Sequence, residues 1–289
     1  MTIYSQIDAN KRKSWLIMVL FVVFVAALAW VFGQAGGYGG SFVGIALIFS
    51  GIMSVSSYYF SDRIVLSMSG AHEIAEKVDI LLFDVVTNLA IAAGIPRPKV
   101  YLINDPAPNA FATGRDPQHA VVCVTTGLRQ LMDKSELEGV ISHELSHIGN
   151  FDTRLMAIVS ILVGVIAMMA DWFMRSLWWR DRDDNDSKSG SVFMILGIIL
   201  AILSPVIATL IQLSISRRRE FLADANGAYI TRYPQGLANA LEKLSAYKRR
   251  PNFANSATAH LFIVNPPGIS RLFDTHPPIE ERIKILREM

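Results

Sequence analysis

From Ser14 to Ser61 the chain carries no charged residue, a run of 48 positions. One bilayer crossing needs about 20 apolar residues, so the run is too long for a single span. It is interrupted at Gly33-Gln34-Ala35-Gly36-Gly37-Tyr38-Gly39-Gly40. The expectation is a helical hairpin with spans near 15–32 and 41–60, which sets a first domain at 1–61. A cleavable signal peptide is disfavoured, because the apolar stretch exceeds an h-region and a second one follows at once. Lys11, Arg12 and Lys13 precede the first span, and the glycine-rich turn has no charge. By the positive-inside rule the N-terminus and the segment from Asp62 onward are therefore expected in the cytoplasm.

Composition agrees with a lipid-embedded chain. Of 289 residues, 52% are hydrophobic and 18% charged, against about 45–50% and 25% in soluble domains, and the mean hydropathy is +0.35. The same numbers exclude disorder, and a single cysteine excludes a disulfide scaffold. A net charge of +2 without a basic stripe gives no reason to expect nucleic acid as a partner.

A second apolar pair, at 155–170 and 189–216, brackets a polar loop around Asp181–Asp186 with tryptophans at 178 and 179. Its lysines and arginines do not orient it, and a re-entrant or protein-buried pair is the alternative to two crossings. Between and after the apolar pairs, residues 71–93 have helical periodicity ended by Gly94 and Pro96. Three strand candidates follow at 99–103, 109–113 and 119–126. Ser135-Glu136-Leu137-Glu138 has the form of a capping box opening a helix to Gly149-Asn150. Helices are expected again at 217–229, 235–248 and 279–288. The domain reading is thus a hairpin at 1–61, a first cytosolic part at 62–154, a second hydrophobic hairpin at 155–216, and a second cytosolic part at 217–289.

Chemistry is concentrated in His143-Glu144-Leu145-Ser146-His147. On a helix, spacing of four puts both imidazoles on one face one turn apart, where they can chelate one Zn²⁺. Glu144 beside them is placed to take a proton from a water activated by the metal. A catalytic site needs a third protein ligand. His72, His119, His260 and His276 are available, and so is a carboxylate from Arg219-Glu220-Phe221-Leu222-Ala223-Asp224. There Glu220 and Asp224 share a helix face, so Glu220 can bind metal while Asp224 orients an imidazole. Taken alone, that pair is also what a solvated helix face looks like.

These motifs resemble those of the HtpX membrane zinc endopeptidases, relatives of the CAAX prenyl proteases. The resemblance covers nearly the whole chain. It includes the N-terminal hairpin, Asn109-Ala110-Phe111-Ala112-Thr113-Gly114, the HELSH helix, Arg217–Asp224, and Thr275-His276-Pro277-Pro278. It implies that Glu220 is the third zinc ligand and that Asn109 and His276 approach the substrate. It further implies a fold that is mainly α with a small β-sheet: a polytopic membrane protein with a gluzincin-like cytosolic metalloprotease domain. The implied activity is quality-control cleavage of misfolded or damaged membrane proteins in the cell membrane, as part of a stress response, with other membrane proteases as companions.

The remaining candidates have plain structural readings. Cys123 lies in an apolar strand with no basic neighbour and is expected in the core. His72, on a helix turn, His119, in the turn at 115–119, and His260 are expected to be structural or surface residues. His276, held extended before two prolines, suits a fixed site residue. Two other functions compete with a cytoplasm-facing zinc endopeptidase. An intramembrane site-2-type protease would carry its histidines within an apolar run, yet Lys134, Glu136, Glu138 and Asp152 flank them. A non-catalytic zinc scaffold would close its site with four protein ligands, commonly cysteines. Zinc chemistry also constrains topology. For Glu220 to reach His143 and His147, the second apolar pair must cross the membrane twice or not at all. Two crossings are expected, with Asp183 on the far side.

Overall fold

The computed structural model describes residues 3–36, 41–180, 195, 199, 217–247, 263 and 277–289. The uncharged run forms α1 (Ile3–Gly36) and α2 (Ser41–Tyr59), followed by the short α3 (Ser61–Met68). Met18, Phe21 and Val25 of α1 pack against Ile158, Leu162 and Ile166 of α7 (Asp152–Arg180), with Ala46 and Met53 of α2 alongside. Trp15, Leu16, Val19 and Val23 of α1 and Ile45, Ile48, Ile52 and Val55 of α2 point outward. A contiguous apolar exterior of this kind belongs to a membrane or a partner surface. Among the described residues no single helix is long and apolar enough to cross a membrane. Two bent pairs pass together: Val43–Tyr59 with Ser61–Met68, bent by 83°, and Lys134–Gly149 with Asp152–Ile166, bent by 81°. The stretch expected at 155–170 lies in α7, whereas the one at 189–216, apart from positions 195 and 199, lies outside the described residues, as does Asp183.

The residues expected to continue one helix from 71 to 93 divide instead. His72–Glu73 form a two-residue strand, β1, paired antiparallel to β2 (Lys99–Ile103), and α4 begins only at Ile80. The physical reason is Asp79, whose carboxylate accepts from the Leu82 N–H and caps the helix there. That carboxylate is also gripped by Arg129 at 2.6 Å. Gly94, at φ +67°, ends α4 as expected. Strands β3 (Ala110–Thr113) and β4 (Val121–Thr125) complete a mixed sheet of order β1-β2-β4-β3, with β4 parallel to β2 and antiparallel to β3.

The sheet is a partition. Val122 and Val124 of β4, with Val100, Ala110 and Ala112, face the larger core built from α4 and α6 (Lys134–Gly149). Val121 and Cys123, with Ile103 and Phe111, face Val65, Leu66, Met156 and Ala157 of α3 and α7. Period-two alternation thus serves two apolar cores, and Cys123 is buried in one of them, as expected. Helices α5 (Thr126–Leu131), α8 (Arg217–Thr231), α9 (Pro234–Ala246) and α10 (Ile279–Glu288) complete the described elements.

Helix α6 starts two residues earlier than its expected capping box. Asp133 is the N-cap, accepting from the Glu136 N–H at 2.9 Å, and the Glu136 carboxylate accepts from the Asp133 N–H at 2.9 Å. Asp and Ser are both good caps; Asp133 takes the role because it precedes the first helical residue. Helix α8 lies almost backbone to backbone on α6. A Cβ at Gly227 would stand 3.0 Å from Ser142 Oγ and 3.2 Å from the His143 nitrogen. Glu220 lies about two turns earlier on that same face of α8, so this close approach aims it at the histidines.

Candidate metal centre

Three buried side chains converge where α6 meets α8. The Nε2 atoms of His143 and His147 are 3.2 Å apart. Glu220 places its Oε2 3.7 Å from His143 Nε2 and its Oε1 3.6 Å from His147 Nε2. Donor atoms around a tetrahedral ion with bonds of about 2.0–2.1 Å stand about 3.4 Å apart, so the triangle has the size of such a site. Two imidazole nitrogens and a carboxylate are also the donor chemistry that a divalent transition metal takes. Among the described residues this is the group of histidines, cysteines and carboxylates spaced to hold a metal ion.

Both imidazoles are held from behind. His143 Nδ1 is 2.9 Å from Asp224 Oδ1, and His147 Nδ1 is 3.0 Å from Asp152 Oδ2. Each Nδ1–H donates to its carboxylate, which leaves Nε2 free to face inward. Asp224 is held in turn by Arg282 of α10, which donates from Nε at 2.8 Å and from a terminal nitrogen at 2.7 Å. This two-pronged grip outweighs burial and lowers the Asp224 carboxyl to about 2. Arg282 also donates to the Ile263 carbonyl and lies 3.8 Å from Glu220. Asp152 has two partners of its own: Asn10 Nδ2 donates to its Oδ1 at 2.7 Å, and Arg219 donates at 3.2 Å.

Charge at the centre follows from these neighbours. Burial lowers the His143 pKa, and Asp224 only partly offsets it. Burial acts the same way on His147, but Asp152 and Glu220 overcome it and draw the imidazole up to about 9. The carboxylates of Asp152 and Glu220 thus favour positive charge at His147. Glu144 is buried beside the triangle, with the Ala112 N–H donating to its carboxylate. Desolvation pushes its pKa to about 7.

The other expected residues divide. Asn109 is buried at the end of β3: its N–H donates to Thr125 Oγ1, its Oδ1 accepts from the Ile263 N–H, and its Nδ2 has no protein partner among the described atoms. His276 and His260 lie outside the described residues. His72 is exposed, on a strand and not on the expected helix turn, and His119 pairs with Asp116 at 2.6 Å, both away from the centre. Arg282, Asp152, Arg219 and Asn10 were not singled out as site residues. Arg282 did leave a signal: it sits with Ile279, Ile283 and Leu286 on the apolar stripe of α10, and a cation on an apolar stripe requires a buried anion.

Comparison with known proteins places this geometry. The model of Peptidase family M48 matches residues 79–289. A protease HtpX homolog of Caldanaerobacter subterraneus is 47% identical, covering 100% of this chain and 98% of its own. One of Dictyoglomus thermophilum is 46% identical over 100% and 95%. Among solved structures, Ste24p of S. mikatae is similar in fold, with a TM-score of 0.54 at 18% identity, covering 95% of this chain and 66% of that one.

Proposed function

The chain belongs to peptidase family M48 and is a membrane-bound metalloprotease, and from that premise we propose that it uses zinc to cut unfolded or damaged membrane proteins at the cytoplasmic face. The observation that carries the proposal is the triangle of His143, His147 and Glu220, with Glu144 buried against it. Bound zinc supplies Lewis acidity, polarising the scissile carbonyl and making water nucleophilic near neutral pH. Glu144 takes the proton of the attacking water and delivers it to the leaving amine. A carboxyl pKa near 7 suits both halves of that task. Asp224 and Asp152 keep the imidazoles in the tautomer that faces inward. Asn109 Nδ2, buried without a protein partner among the described atoms, is a donor for the developing oxyanion. His276 shares that role by resemblance.

Strand β3 supports an extended-peptide substrate. Just before β3 the Thr125 N–H donates to the Asn109 carbonyl, while the Asn109 N–H donates to the Thr125 hydroxyl. By antiparallel alternation, Ala110 and Ala112 turn their backbone groups away from β4, to the side where no described strand pairs. That edge lies beside Glu144, to which the Ala112 N–H donates. A peptide added there pairs through its main chain, which favours unfolded segments over folded ones. A chain with an apolar exterior on α1 and α2 keeps this edge near lipid, where failed membrane segments emerge.

The test uses full-length protein in detergent. Wild type and Glu144→Gln are each expected to hold one zinc per chain. Casein cleavage is expected in wild type alone, lost with chelator and restored by zinc. Cleavage surviving in Glu144→Gln, or proceeding in zinc-free protein, contradicts the mechanism.

A further inference from the structure

Helix α1 does more than enter the apolar layer. Its Asn10 is buried, and its Nδ2 donates both to Asp152 Oδ1 at 2.7 Å and to the Asn150 carbonyl at 3.0 Å. The other oxygen of Asp152 holds His147 Nδ1 at 3.0 Å. One amide of the N-terminal helix is therefore two hydrogen bonds from an imidazole of the metal centre, across 137 residues of sequence.

The same amide sits on the sharpest feature near the site. Helices α6 and α7 meet at an 81° bend, and Phe151 at the bend has φ +60°, a left-handed conformation that a bulky L residue adopts at a cost. Asn10 holds the carbonyl immediately before it, and Lys11 lies over the Phe151 ring at 4.6 Å from its centroid. The first turns of α1 thus clamp the bend that puts Asp152 behind His147. Arg219, donating to the same Asp152 oxygen at 3.2 Å, closes the network from α8, next to Glu220 in sequence.

We propose that Asn10 is a positioning residue of the metal centre, setting the orientation of Asp152 and through it of His147, so that the membrane-anchoring helix is a working part of the catalytic site. This rests on the reading of His147 as a metal ligand. It predicts that metal retention responds to a substitution in the N-terminal helix that touches neither metal nor substrate. Groups that orient a ligating histidine typically affect metal affinity or activity 10–100-fold.

The experiment loads full-length protein in detergent with Co²⁺. It follows the cobalt absorption spectrum and the rate of cobalt loss to excess chelator. Asn10→Ala is expected to lose cobalt at least about 10-fold faster than wild type, with a changed ligand-field spectrum. Ser14→Ala is the control: Ser14 is buried on the next turn of α1, and among the described residues its hydroxyl donates only to the Asn10 carbonyl, so its spectrum and release rate are expected to match wild type. In an Asp152→Asn background, Asn10→Ala is expected to add little, because both changes break one linkage. If Asn10→Ala releases cobalt no faster than Ser14→Ala, or if its effect is undiminished in Asp152→Asn, the proposal is overturned. Wild type that binds no cobalt would instead refute the metal centre itself, so the two failures are distinguishable.

Discussion

Helices α6 and α1 are built inside out relative to each other. Helix α6 encloses its polar groups: His143, Glu144 and His147 are buried among α4, α8, α9 and the sheet, and every charge has an assigned neighbour. Helix α1 turns large apolar side chains outward at Trp15, Leu16, Val19 and Val23 and buries Asn10 and Ser14. The exterior of α1 suits lipid or a partner surface, and the enclosed charges of α6 suit a water-exposed domain. In water, a buried charge network is held by the apolar shell around it. Beside lipid, an apolar exterior costs nothing, and the rare polar group is kept inside to meet a partner. Where the regions touch, at Asn10 and Asp152, the polar interior of one reaches the polar interior of the other.

The largest expected effect on stability is at the charge network. Arg282 is buried with Asp224 and Glu220 around it, so Arg282→Leu leaves a buried carboxylate without its cation. A loss of about 3–5 kcal/mol is expected, measured by denaturant unfolding in detergent with chelator present, so that metal binding does not contribute. A loss below about 1 kcal/mol would mean that water already reaches Asp224, and that α6 is less enclosed than described.

A matched pair of surface substitutions tests the contrast itself. Ile48 of α2 and Ile80 of α4 are nearly equally exposed, at 67% and 63%. In bilayers, Ile48→Arg is expected to cost about 2.5–3.5 kcal/mol, as a cation near the centre of a span does, read as lost insertion or lowered stability. Ile80→Arg is expected to stay within about 0.5 kcal/mol. Equal effects at the two positions would remove the distinction between lipid-facing and water-facing surfaces.

A smaller effect separates stability from function at Glu144. Its folded pKa of about 7 exceeds the ordinary 4.5, so between those values the folded state binds more protons than the unfolded one. Stability from this group therefore falls as pH rises through that window. In chelated protein, Glu144→Gln is expected to be more stable than wild type at pH 8, by on the order of 2–3 kcal/mol. The difference should vanish below about pH 4.5. Thermal melts at the two pH values read it; a constant difference would mean that Glu144 is not desolvated.

Much of this was legible in the chain because it is written in local spacing. The apolar run, the H-E-x-x-H turn and the E-x-x-x-D turn each need only one helix to be recognised, and β2, α10 and the Gly94 stop follow from short-range patterns. What escaped was non-local. The start of α4 depends on Asp79, whose carboxylate is also held by Arg129, 50 residues away. Strand β1 exists because β2 is there to pair with it. Asp224 was legible from its spacing to Glu220, but Asp152 behind His147, and Asn10 and Arg219 behind Asp152, come from three separate helices that no spacing rule links. Arg282 alone announced itself, as a cation on an apolar stripe.

The central claim is that Glu220 completes the metal centre with His143 and His147, and the most direct measurement is metal stoichiometry in Glu220→Ala. Full-length wild type, Glu220→Ala and Glu144→Gln are purified together and assayed for bound zinc by elemental mass spectrometry, with circular dichroism confirming equal helix content. The account predicts about one zinc per chain in wild type and in Glu144→Gln, and less than about a tenth of that in Glu220→Ala, since three protein ligands are needed for a catalytic site. Full zinc occupancy in folded Glu220→Ala would contradict it and assign the third ligand elsewhere.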